Sequence, residues 1–89
     1  MGMGKRQQNT KRRRVDPWVG PWLQGYREER SIARDVIASR LRRDLSAVSR
    51  LETGASAITA DDLPVVLAAY GATPDDFASA AASRRGRAA

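Results

Sequence analysis

The 89-residue chain has no cysteine and no histidine. The first absence excludes disulfides and thiolate chemistry. The second removes the usual general base and the commonest metal ligand. Aromatic residues are few: two Trp, two Tyr and one Phe. No apolar run approaches the roughly 18 residues of a membrane span, and the N-terminus is too polar for a signal peptide. A chain this short supports one small core. The expectation is a cytoplasmic protein with no cofactor, no metal and no membrane partner. Asp61-Asp62 and Asp75-Asp76 are the acid pairs that could be proposed as catalytic or metal-binding carboxylates. Both pairs fall in the first turn of a predicted helix, where capping accounts for them, so no catalytic residue is assigned and an enzyme is not expected.

Charge is present in excess of one sign and is unevenly placed. The net charge is +6. Residues 5–14 hold Lys5, Arg6, Lys11, Arg12, Arg13 and Arg14 with no acid, and the tail holds Arg84, Arg85 and Arg87. All the acids lie in the stretch between. Most of the basic residues of that stretch sit between Arg27 and Arg43. One basic face with basic arms is the electrostatic footprint of a polyanion-binding protein.

Residues 1–14 lack periodicity and read as disordered. Asp16-Pro17 and Gly20-Pro21 both look like helix starts, with Pro at the first helical position. A Pro inside a continuous helix breaks a backbone bond, so a short turn near 17–19 and a helix from Pro21 to Arg30 are predicted. Trp22, Leu23, Tyr26 and Arg30 share a face. Trp18 and Trp22 could stack on bases, but core packing by the largest apolar side chains is the simpler account. A second helix is predicted over Arg34–Leu41, with Ile37, Ala38 and Leu41 buried. Residues 55–58 form a loop. Thr59 opens a fourth helix, with Asp62 three residues on. Its apolar face is Leu63, Val66, Leu67 and Tyr70, and Gly71 ends it. Thr73-Pro74-Asp75-Asp76 opens a short fifth helix anchored by Phe77, with the Ala-rich stretch 78–82 fraying into the basic tail.

The segment from Leu41 to Gly54 organises the rest. Asp44 is a good N-cap. Ala47, Val48 and Leu51 form one apolar stripe, with Ser46, Ser49 and Arg50 opposite. Gly54 can take positive φ as a C′ residue. A short helix that buries one side and offers hydroxyls and a guanidinium on the other, following a tight turn, is the build of the second helix of a helix-turn-helix. The chain therefore reads as all-α, a compact bundle of about five short helices with the helix-turn-helix at helices 2 and 3. A disordered basic arm (1–15) precedes the domain (16–80), and a short basic tail (81–89) follows it.

From Leu23 to Phe77 the chain resembles the lambda-repressor/Cro-like (XRE) family of DNA-binding domains. The resemblance lies in Tyr26-Arg27-Glu28-Glu29-Arg30-Ser31-Ile32-Ala33-Arg34, in Val48-Ser49-Arg50-Leu51-Glu52-Thr53-Gly54, and in Leu63 to Thr73. It implies that Leu45, Ser46, Ser49 and Arg50 face base edges. It implies that Arg34, at a position usually Gln, touches phosphate, and that Ala55 and Ser56 lie along the DNA backbone. It also implies a buried ion pair between Arg27 and Glu52. Arg50 is the one long cation on the third helix, and Arg grips guanine O6 and N7 bidentately. Arg34, Arg40, Arg42 and Arg43 would neutralise phosphates. The basic arm (Lys11, Arg12, Arg13, Arg14) could enter an adjacent minor groove.

The chain also departs from the family. The turn usually reads Gly-hydrophobic-Ser and here reads Arg42-Arg43-Asp44, and Ala33 replaces a hydroxyl cap. An Arg in the left-handed conformation costs roughly 1 kcal/mol over Gly. Together these features imply a sequence-specific repressor that binds double-stranded DNA, at an inverted repeat, as a homodimer. Tyr70, Phe77 or the Trp-containing segment are candidate dimer contacts. Two alternatives stand beside it: an antitoxin that represses its own operon and binds a toxin or other regulator as protein partner, and a non-catalytic interaction adaptor on the same fold.

Overall fold

Five helices follow one another along the computed structural model, which describes residues 13–88: α1 (Val19–Glu29), α2 (Arg34–Leu41), α3 (Leu45–Thr53), α4 (Leu63–Tyr70) and α5 (Pro74–Ala88). No strand occurs among the described residues; Arg14 and Thr59 form a single isolated antiparallel bridge. Helices α1 to α4 enclose the core. Val19 and Leu23 of α1, Ile37 of α2, Val48 of α3 and Tyr70 of α4 are wholly buried. Burial of such side chains is worth roughly 1.5–3 kcal/mol each.

The caps explain where α3 begins and ends. The Asp44 carboxylate accepts the Ala47 N–H at 2.7 Å, and Gly54 closes the helix at φ 88°. At α5 the capping box is reciprocal. The Thr73 hydroxyl accepts the Asp76 N–H and the Asp76 carboxylate accepts the Thr73 N–H, both at 3.0 Å. The Thr73 N–H, followed by the Tyr26 hydroxyl, holds the Asp76 carboxyl below its usual range.

Three boundaries differ from the sequence-based expectation. Helix α1 begins at Val19, two residues before Pro21, with the Trp22 N–H already bonded to the Trp18 carbonyl at 3.0 Å. Pro21 is its third residue, where no intrahelical acceptor exists for the missing N–H, so the ring costs nothing. Helix α4 begins at Leu63, not Thr59. Thr59 instead caps a preceding turn, its hydroxyl accepting the Asp62 N–H at 3.2 Å, while the Asp62 carboxylate makes no cap bond of its own. Helix α5 does not fray at residues 78–82 but runs to Ala88. Alanine has the highest helix propensity, and the guanidinium of Arg84, the eleventh residue of the helix, sits 4.9 Å from the Trp18 ring centre.

Helix α5 is attached through aromatic side chains. Phe77 stacks on Trp18 at 5.7 Å with rings 17° apart and meets Trp22 edge-on at 5.9 Å. The Tyr26 hydroxyl donates to the Gly71 carbonyl (3.0 Å) and lies 3.1 Å from the Asp76 carboxylate. The two tryptophans thus serve packing: both are partly buried against the core.

Candidate nucleic-acid interface

The apolar stripe of α3 faces inward: Val48 and Leu51 are buried and Ala47 is half-buried. Leu45, Ser46 and Arg50 are exposed on the far side, with Ser49 half-buried between them. Leu45 is 51% exposed, a large apolar side chain that the fold leaves in solvent. The four residues expected to face base edges therefore share one face of one helix.

The turn before α3 is built as a left-handed C-cap. Arg42 sits at φ 56°, ψ 45°; its N–H reaches the Ser39 carbonyl at 3.2 Å, and the Arg43 N–H reaches the Ala38 carbonyl at 2.9 Å. A residue with a Cβ is strained there by about 1 kcal/mol. Arg42 and Arg43 are exposed. Among the described residues no carboxylate lies within ion-pairing distance of Arg42, Arg43 or Arg50. Arg42→Gly is expected to raise the unfolding free energy by about 1 kcal/mol while weakening DNA binding. Urea denaturation and a binding titration on the same preparation check both signs.

The other expected phosphate contacts are placed differently. Arg40 donates to the Ala69 carbonyl at 2.8 Å, tying α2 to α4. Arg34 keeps its side chain 44% exposed but directs its Nε to Glu52 at 3.3 Å. Ala55 is exposed, and the half-buried Ser56 donates its N–H to the Arg50 carbonyl at 3.0 Å. Arg13 and Arg14 are exposed; Lys11 and Arg12 lie outside the described residues.

Behind this face lies a buried charge network. Arg27 grips Glu52 with two bonds, Nε to Oε2 at 2.8 Å and Nη2 to Oε1 at 3.0 Å, and its Nη1 donates to the Ile32 carbonyl at 2.8 Å. The Tyr70 hydroxyl donates to Glu52 Oε2 at 2.7 Å. Glu52 is 1% exposed. Burial alone would raise its carboxyl, but the bonds from Arg27 and Tyr70, with the Arg27 charge, outweigh it and hold the carboxyl below the ordinary range. Burial and the Glu52 bond push the Tyr70 hydroxyl up, and the Glu52 bond raises the Arg27 guanidinium further. No buried polar side-chain atom is left unpartnered among the described residues. The network joins α1, α2, α3 and α4 beneath the exposed face. Tyr70, proposed above as a dimer contact, is wholly buried in it and is withdrawn from that role. Its place on the apolar face of α4 was itself a signal, since a buried Tyr hydroxyl needs a partner.

No group of His, Cys, Asp and Glu among the described residues could hold a metal ion, and no helix among them is long and apolar enough to cross a membrane. A family model described as a helix-turn-helix domain matches residues 19–80, from the start of α1 to the middle of α5. No curated protein and no solved structure matches the chain.

Proposed function

The chain belongs to the helix-turn-helix domain family, and on that premise we propose that it is a sequence-specific DNA-binding regulator that acts as a repressor. It places α3 in the major groove of an inverted-repeat operator and binds as a dimer. The observation that carries this is the pairing of an exposed Leu45-Ser46-Ser49-Arg50 face with the Arg42-Arg43 turn, free of carboxylate partners among the described residues. Arg50 supplies base discrimination, preferring guanine. The serines add adaptable but weakly selective hydrogen bonds, and Leu45 suits a thymine methyl. Arg34, Arg42 and Arg43 neutralise phosphate, which fixes register but carries no sequence information. The role is non-catalytic.

Selection of bound duplexes from a random pool tests this. The expected winner is a palindrome whose half-sites lie about 10 base pairs apart, centre to centre, or a multiple of that spacing. Arg50→Ala is expected to cost about 1–3 kcal/mol on the winner and to relax preference at one position per half-site. A pool that shows no enrichment, or an Arg50→Ala protein that selects the same motif with the same affinity, overturns base readout through α3.

A further inference from the structure

The basic arm has a fixed root. The Val15 N–H donates to the Ile58 carbonyl at 2.8 Å, and the Ala60 N–H donates to the Arg13 carbonyl at 2.6 Å. Arg14 sits opposite Thr59 in this antiparallel bridge. Val15 packs against the core and Ile58 is buried, so apolar contacts hold the pairing in place. The same loop is tied at its other end to α3, where the Ser56 N–H meets the Arg50 carbonyl at 3.0 Å. A short series of backbone bonds therefore runs from the base-reading helix to Arg14. The side chains of Arg13 and Arg14 are exposed, and no carboxylate among the described residues lies within ion-pairing distance of either.

We propose that Arg13 and Arg14, together with the Ala55–Ala57 loop, form a fixed cationic edge that engages the phosphodiester backbone of duplex DNA beside α3. The inference rests on the DNA-binding function proposed above and adds a second contact surface to it. The paired backbone fixes where the Arg13 and Arg14 side chains leave the chain relative to the loop that follows α3. A cation on a loose tether must be ordered when it binds, and that ordering weakens the contact; a cation already in place avoids the loss. The arm's charge then acts by position as well as by number.

The test compares three full-length proteins on one random-sequence duplex by fluorescence anisotropy across a salt series. They are the parent, Arg13→Gln with Arg14→Gln, and a variant with Gly-Gly inserted between Arg14 and Val15. The insertion keeps every charge and the whole sequence from Val15 onward, but it removes Arg13 and Arg14 from register. Matched thermal midpoints for the three proteins establish that the body is intact. The double substitution is expected to reduce the slope of log affinity against log salt by about 1.8, at about 0.9 per phosphate contact. The insertion is expected to reproduce most of that loss with no change in net charge. An insertion variant that matches the parent in affinity and slope overturns the fixed edge and leaves DNA binding itself standing. A parent that binds no duplex at all overturns both.

Discussion

Glu52→Gln is expected to lower the unfolding free energy by about 3–5 kcal/mol, the cost of breaking a buried ion pair from one side. Glutamine matches the shape of glutamate, so packing is preserved and the charge alone is removed. The Arg27 guanidinium would then remain buried with its two strongest acceptor contacts, at 2.8 and 3.0 Å, weakened or inverted to a donor. The Tyr70 hydroxyl, which donates to the same carboxylate at 2.7 Å, would lose a charged acceptor as well. Small domains have only about 5–15 kcal/mol in total, so the variant should unfold early in urea. Tyr70→Phe removes one hydrogen bond to a charged group and should cost less, about 1.5–3 kcal/mol.

The same network is expected to contribute to the acid limit of the fold. The folded Glu52 carboxyl titrates below its ordinary value of about 4.5 because Arg27 and Tyr70 overcome the effect of burial. In the unfolded chain those bonds are gone, so below pH 4.5 the unfolded state binds the proton first. Stability from this group is therefore present in full above pH 4.5 and is lost as pH falls through the depressed folded value. Urea midpoints measured from pH 7 down to pH 3 should decline in the parent and decline less in Glu52→Gln. Parallel declines would mean that other carboxylates set the acid limit.

What could be read from the chain followed the range of the interaction. Asp44 and Gly54 act within one turn of α3, and their local chemistry announced both ends of that helix. The Arg27–Glu52 pair spans 25 residues and came through the resemblance, not through any spacing rule. Pro21 and Thr59 misled because each is a helix-start signal that also fits a neighbouring turn. A Pro is tolerated anywhere in the first turn, and a Thr can cap a turn that does not itself grow into a helix. The Ala-rich stretch 78–82 reads as fraying into the basic tail, but Arg84 meets Trp18 across 66 positions of sequence, which no local pattern reveals. The pairing of Arg13–Val15 with 58–60 has the same character, since two or three extended residues carry no period. Of the candidate interface, the exposed face of α3 was legible from its apolar stripe. The ties of Arg34 to Glu52 and Arg40 to Ala69 were not.

Gly20 is the clearest case of a residue whose role only the assembled fold discloses, and Gly20→Ala is expected to cost about 3 kcal/mol, the upper end for an overpacked core site. A Cβ built at Gly20 would overlap the Leu51 carbonyl oxygen and lie 3.2 Å from that of Glu52. Both obstacles are backbone atoms of α3, so no side chain can swing aside. Relief requires α1 and α3 to separate, which opens the contact of Val19 and Leu23 with the core and drags Glu52 from Arg27. Gly25, on the same helix, has nothing within 4 Å of its virtual Cβ. There an alanine meets no clash and removes the entropic penalty of glycine, so Gly25→Ala should gain about 0.5–1 kcal/mol. One substitution type in one helix thus carries opposite signs, and urea denaturation of the two variants reads the difference directly. Two losses would mean that Gly25 is held by something other than open space; two gains would mean that α1 and α3 lie further apart than this structure places them. Because helix propensity favours alanine over glycine, a loss at Gly20 beside a gain at Gly25 reports the close approach of α1 to the α3 backbone.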